Sequence, residues 1–173
     1  LLDDILSWAK VQSGKMTYNP INVAFPVICC AVVDNLRGKA EEKNISIDCS
    51  EMPDIEVFTD KKMLQVVLRN LISNAIKFTP YGGRIQIAAS KEQGMATITV
   101  SDSGIGIDSS DIPKLWDLTR HHSTEGTAGE RGTGYGLVLC KELVEKLGGN
   151  IWADSTPGRG SDFIFTLPLS QLK

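Results

Sequence analysis

Apolar residues along this chain follow two different spacings. Leu2, Ile5, Leu6 and Ala9 recur at helical spacing, and Gly14 ends the run. The same spacing predicts helices from about Pro26 to Lys43, from Lys61 to Phe78 behind an Asp60 cap, and from Gly134 to Leu147 ahead of the Gly148-Gly149 stop. A shorter helix falls between Asp108 and Trp116. Between these stretches the pattern alternates. Strands are predicted at Thr17 to Val23, Ile45 to Cys49, Ile55 to Phe58, Arg84 to Ala89, Met95 to Ser101, Ile151 to Asp154 and Asp162 to Leu167. Gln93-Gly94 joins two of them as a hairpin. Strands that cluster in hairpins with helices between them favour an α/β (α+β) fold: a two-layer sandwich with a mixed β-sheet and helices on one face.

The segment Asp117 to Arg131 fits neither spacing. It is polar, glycine-rich and long, as functional or disordered loops are. Too little apolar surface is available there to offset the cost of ordering it. It is therefore expected to be mobile in the absence of a ligand.

Composition narrows the class. The chain has 173 residues, 42% of them hydrophobic, enough for one domain with a core. Net charge is −3 and there is no basic run, which argues against nucleic acid as a partner. No apolar stretch approaches the length of a membrane span, and the first residues do not form a signal peptide. Cys29, Cys30, Cys49 and Cys140 form no CxxC pair, so they are expected to be buried thiols in a reducing compartment.

Three polar stretches interrupt this ordinary background. On the helix from Lys61 to Phe78, the apolar side is Leu64, Leu68, Leu71, Ile72 and Ala75. Asn70, Asn74 and Lys77, spaced i, i+4, i+7, share the opposite side. Asparagine is a poor helix former, so its repetition needs a reason. Amide oxygens suit a hard cation such as Mg²⁺, and a lysine suits phosphate. Second, Asp102 follows a strand and enters the glycine turn Gly104-Ile-Gly106-Ile107. A carboxylate there can accept from the exocyclic amine of adenine, and the glycines let the backbone approach a flat ligand. Third, Gly132-Thr133-Gly134-Tyr135-Gly136-Leu137 lies where a loop becomes a helix, and such termini favour anions. Singly, these stretches also fit a polar helix face packed on a loop, a surface turn and a glycine-rich connection. Together and in this order they describe an ATP site. The spacing is not that of a dinucleotide fold, and there is no Walker motif and no HRD triplet.

These stretches resemble the N, G1 and G2 boxes of the sensor histidine kinase ATP-binding domain, within the gyrase, Hsp90, histidine kinase and MutL superfamily. The resemblance covers nearly the whole chain. Leu1 to Met16 is similar to the end of a dimerisation helix. Lys141 to Trp152 and Gly158-Arg-Gly-Ser-Asp-Phe are also family-like. It implies a Bergerat-type sandwich binding ATP with Mg²⁺, with residues 1–15 a stub of the dimerisation and phosphotransfer helix and 16–173 the catalytic domain. Asn74 is the implied Mg²⁺ ligand. Asn70 would contact phosphate or metal-bound water, Lys77 phosphate, and Phe78 the adenine or ribose. Asp102 would bind the adenine amine beside Gly104, Gly106 and Ile107. Arg131, Gly132, Thr133, Gly134, Tyr135, Gly136 and Leu137 would line the phosphates, and Asp117 to Arg131 would be the lid.

Two departures stand out. Tyr135 replaces the usual leucine of the G2 box, and the phenylalanine-rich box is reduced to Leu115-Trp116-Asp117-Leu118. His121 and His122, the only histidines, lack the motif of a phosphoacceptor, so the acceptor is expected upstream on the same longer, cytoplasmic chain. The implied partners are that protein's own dimerisation domain, forming a homodimer, and a response regulator. Two other readings are an ATP-hydrolysing domain of the gyrase or Hsp90 kind and a non-catalytic nucleotide-sensing module.

Overall fold

The computed structural model describes residues 17–117 and 124–170, together with Leu6, Ala9, Lys10, Ser13 and Gly14. The expected first helix lies mostly outside the described residues, as do Leu118, Arg120, His121 and His122. The elements are β1 (Ile21–Ala24), α1 (Phe25–Glu42), β2 (Ser46–Asp48), β3 (Glu56–Thr59), α2 (Lys61–Phe78), β4 (Arg84–Glu92), β5 (Met95–Asp102), a 3-10 turn (Ile112–Trp116), α3 (Gly136–Lys146), β6 (Ile151–Thr156) and β7 (Gly160–Pro168).

Five strands form one mixed sheet in the order β2-β4-β5-β7-β6, with β2 parallel to β4 and the other pairs antiparallel. β1 and β3 form a separate antiparallel pair. At the β4–β5 hairpin, Gln93 and Gly94 both have positive φ (50° and 80°), the conformation of a two-residue turn that matches strand twist.

Register explains the two layers. Ile87 pairs with Val100 and Val100 with Phe163, while Ala89 pairs with Ile98 and Ile98 with Phe165. Paired residues share a face. All six are buried, and they meet Leu64, Leu68, Leu71 and Ile72 of α2 and Leu139 and Leu143 of α3 in one core. Alternate positions such as Gln86, Thr97 and Thr99 lie on the other, more open face. Asp102 has the same parity as Val100, so the last residue of β5 is aimed into the helical layer rather than out of it.

Asp60 begins α2 as the sequence predicts. Its Oδ1 accepts from the backbone N–H groups of Lys62 (2.9 Å) and Met63 (3.1 Å), and its Oδ2 accepts from that of Asn19 (2.9 Å). Two expectations need correction. α3 begins at Gly136 rather than Gly134, because Gly134 is held at φ +74° and cannot continue a helix backwards. Cys29 and Cys140 are buried, but Cys49 is only half-buried and Cys30 is exposed: Cys30 follows Cys29 by one residue and so points to another side of α1.

Candidate nucleotide site

A cleft of about 610 Å³ opens between α2, the end of β5 and the start of α3. Asn70, Asn74, Lys77 and Phe78 line one wall; Asp102, Gly106 and Ile107 line another; Arg131, Gly132, Thr133, Gly134, Gly136 and Leu137 close a third. Three segments far apart in sequence therefore meet at one place. Gly104 and Tyr135 do not line it: Gly104 is buried behind Asp102.

Asp102 is fixed before any ligand arrives. Its Oδ1 accepts from the Gly104 N–H at 2.8 Å and the Ser161 N–H at 3.3 Å. Burial pushes this carboxyl up to about 6; the bonds from Gly104 and Ser161 pull the other way, and Asp162 adds to the rise. With Oδ1 occupied by backbone donors, Oδ2 is the acceptor left for a ligand amine.

Several residues around Asp102 lie outside the three polar stretches of the sequence. Gly160 has φ +102°, and a Cβ there would run into the Asp102 carbonyl oxygen. Ser155 Oγ accepts from the Ile107 N–H at 2.8 Å and donates to the Gly160 carbonyl at 2.9 Å, with the Ser161 hydroxyl 2.8 Å away. The β6–β7 turn thus buttresses the Asp102 loop. The Gly158-to-Phe163 stretch was the only sequence hint, and which of its residues meets Asp102 depends on the β5–β7 register.

On the opposite wall the two asparagines differ. Asn70 Nδ2 donates to the Val66 carbonyl at 2.9 Å, which turns Oδ1 toward the start of α3. A Cβ on Gly136 would lie 2.8 Å from that oxygen. The Asn74 side chain makes no hydrogen bond among the described residues. This donor set fits a hard cation that takes most of its ligands from phosphates and water: Asn70 Oδ1 faces Gly136, Asn74 lines the same cleft, and no cluster of three His, Cys, Asp or Glu occurs among the described residues.

Lys77 is engaged in a way that helical spacing could not reveal. Its Nζ donates to the Thr124 carbonyl at 2.6 Å and lies 4.6 Å from the centre of the Phe78 ring. Partial burial lowers the ammonium from its usual range, opposed by the Glu130 carboxylate. The second half of the expected mobile loop is likewise anchored. Thr127 N–H donates to the Lys77 carbonyl at 3.0 Å, Thr127 Oγ1 to the Thr79 carbonyl at 3.0 Å, and Gly126 N–H to the Glu130 carbonyl at 2.8 Å. Polar groups supply the order that apolar burial could not. Beside the cleft, Trp116 meets Phe163 edge to face at 6.4 Å.

Comparison with known proteins identifies the family and the fold. Residues 59–171 match the family described as histidine kinase-, DNA gyrase B-, and HSP90-like ATPase. The sensor histidine kinase WalK of Bacillus subtilis is 33% identical over 99% of this chain, which spans 28% of that protein. The adaptive-response sensory kinase SasA of Synechococcus is 32% identical over 99% of this chain, which spans 46% of that protein. Among solved structures, the catalytic domain of histidine kinase ThkA superposes with a TM-score of 0.72 at 28% identity, covering 88% of this chain and 96% of that one. The chain belongs to the histidine kinase-, DNA gyrase B- and HSP90-like ATPase family, as a catalytic domain of the sensor histidine kinase kind.

Proposed function

We propose that this domain binds Mg-ATP in the cleft between α2 and α3 and delivers the γ-phosphate to a histidine on a dimerisation domain of the same longer protein. The observation that carries the reading is the meeting of Asn70, Asn74 and Lys77 with Asp102 and the Gly132–Gly136 loop around one cleft. Asp102 accepts the adenine amine through the oxygen its backbone donors leave open. Asn74, with Asn70 beside it, offers amide oxygen to Mg²⁺. The cation, when bound, neutralises phosphate charge. Lys77 gives up the Thr124 carbonyl for phosphate, and the loop before α3 offers backbone N–H groups to phosphate oxygens. The domain's contribution is positioning and charge neutralisation, and the acceptor imidazole supplies the nucleophile in line.

In this reading the domain works inside the cell, in a homodimeric kinase whose phosphohistidine feeds a response regulator. Rapid hydrolysis is disfavoured. A water-activating base would stand one turn before Asn74, and that residue is Asn70, whose amide cannot serve as a base. The test is incubation with labelled ATP and a supplied histidine-containing dimerisation domain. Transfer of label to that domain is expected. Binding without transfer would favour a nucleotide-sensing module, and fast phosphate release without transfer would favour a gyrase-like or Hsp90-like ATPase.

A further inference from the structure

Lys43 lies outside the cleft, yet it is one of the most heavily bonded side chains in the molecule. It caps the C-terminal end of α1 and is only 5% exposed. Its Nζ reaches four acceptors: the Ile76 carbonyl (2.8 Å), the Lys77 carbonyl (3.1 Å), Thr127 Oγ1 (2.7 Å) and Glu130 Oε1 (2.9 Å). The first two belong to the last turn of α2, whose carbonyls have no partner within the helix and which carries the negative end of the helix dipole. The other two belong to the segment that leads into Arg131 and the Gly132–Gly136 loop. Glu130 is itself held in place, with Oε2 accepting from the Ala128 N–H at 2.8 Å.

Lysine is rarely buried unless paired. Here one cation joins two separate parts of the site from behind. Its acceptor residue Lys77 presents its own ammonium to the cleft, and Glu130 directly precedes the phosphate-facing run. The room between them is small: a Cβ on Gly126 would lie 2.6 Å from Lys77 Cγ, and one on Gly132 would lie 2.8 Å from Lys77 Nζ.

We propose that Lys43 is a positioning residue for the phosphate side of the site. It pins the Thr127–Glu130 turn to the end of α2, and so sets where Lys77 and the Arg131–Thr133 run stand relative to Asn70 and Asn74. It touches no nucleotide. This rests on the reading of the cleft as a nucleotide site.

The experiment compares two ligands on the folded chain. Lys43→Met keeps the length of the side chain and removes the cation. Loss of alignment between two phosphate-binding segments is expected to weaken Mg-ATP binding by about tenfold, the scale of an ordinary site-to-site coupling. Adenosine, which meets the Asp102 side alone, should keep its affinity within about twofold. Glu130→Gln removes the same ion pair from the loop side. It should weaken Mg-ATP in the same direction, and the double variant should show less than the product of the two effects. It also replaces Lys43→Met if that variant fails to fold. Equal weakening of adenosine and Mg-ATP would mean a merely structural role and overturn the proposal. Unchanged Mg-ATP affinity in folded Lys43→Met or Glu130→Gln would overturn it as well. Failure of the unaltered chain to bind either ligand would instead overturn the nucleotide reading beneath it.

Discussion

The Lys77 ammonium sits 2.6 Å from the Thr124 carbonyl, so the cation that lines the phosphate side of the cleft is bonded to the loop that borders it. A phosphate must compete with that carbonyl. In the proposed function it is expected to win, because an anion is a stronger acceptor for an ammonium than a neutral oxygen. Replacing Lys77 by Met removes one charge-assisted contact. Affinity for Mg-ATP is expected to fall by roughly tenfold to a hundredfold, from about 1.5–3 kcal/mol for such a bond. Adenosine affinity should hold. Calorimetry with both ligands checks this, and an equal loss for both would show that Lys77 does not serve phosphate.

Asn74→Ala and Asp102→Asn are expected to cripple ATP binding by different routes. The first removes a half-buried amide that makes no hydrogen bond among the described residues. Its deficit should vanish when binding is compared without Mg²⁺. The second puts a donor where the carboxylate accepts, so its deficit should persist without Mg²⁺ and should narrow the preference for adenine over guanine. Near-normal affinity in both folded variants would remove the site assignment.

Much of this was legible because each signal was local. Asp60 caps α2, the Gln93-Gly94 hairpin forms as expected, and Leu64, Leu68, Leu71 and Ile72 are fully buried. Periodicity also placed Asn70, Asn74 and Lys77 on one side of that helix. What stayed hidden depends on contacts between distant segments. Lys43 looks like any lysine at a helix end until the fold brings Thr127 and Glu130 to it. Ser155 is an ordinary strand residue until the β5–β7 register sets Ser161 beside Asp102 and the β6–β7 register sets Ser155 beside Ser161. The polar loop looked unanchored because its anchors are hydrogen bonds across more than forty residues rather than apolar contacts.

The raised pKa of Asp102 gives a pH dependence with a definite sign. Its carboxyl moves from 3.8 to about 6, chiefly through burial. The folded state thus holds a proton that the unfolded chain has released. This group's contribution to stability is full below about 4 and is lost as pH rises through about 6. Ligand binding is expected to run the other way, because in the proposed function the ionised form accepts the adenine amine. Adenosine has no phosphate to titrate, so it isolates the effect. Its affinity should rise about tenfold from pH 5 to pH 7, following the ionised fraction of a group near 6. A flat profile would mean that Asp102 is ionised throughout or does not meet adenine.

Asp60 offers a test of stability apart from the site. Its carboxylate is buried and accepts from three backbone N–H groups, two at the start of α2 and one in the segment before β1. Asp60→Ala leaves these donors without that partner. A loss of about 1–2 kcal/mol is expected, at the upper end for a helix cap. Urea unfolding of the folded variant measures it. A change under about 0.5 kcal/mol would mean that water replaces the carboxylate at all three donors.

Two glycine-to-alanine changes should act in opposite directions. Gly38 lies on the exposed side of α1, and a Cβ there meets nothing within 4 Å. Alanine removes backbone freedom from the unfolded chain at no native cost, so Gly38→Ala should stabilise by about 0.4–1 kcal/mol. Gly104 is buried, and a Cβ there would lie 2.5 Å from the Phe78 carbonyl oxygen and 2.6 Å from Asp102 Oδ1. The Phe78 oxygen already accepts from the Ile105 N–H at 3.1 Å. It is backbone at the end of α2 and has little room to give, so the Gly104 backbone must shift away, and the Asp102 carboxylate bonded to its N–H is displaced with it. Gly104→Ala should destabilise by about 1–3 kcal/mol, the range for overpacking a close contact. Adenosine affinity should fall as well, since the displaced group is the one that accepts the amine. Thermal unfolding and adenosine titration of the two variants separate these outcomes. If Gly104→Ala bound adenosine as tightly as the unaltered chain, the close approach of Gly104 would not be what fixes Asp102.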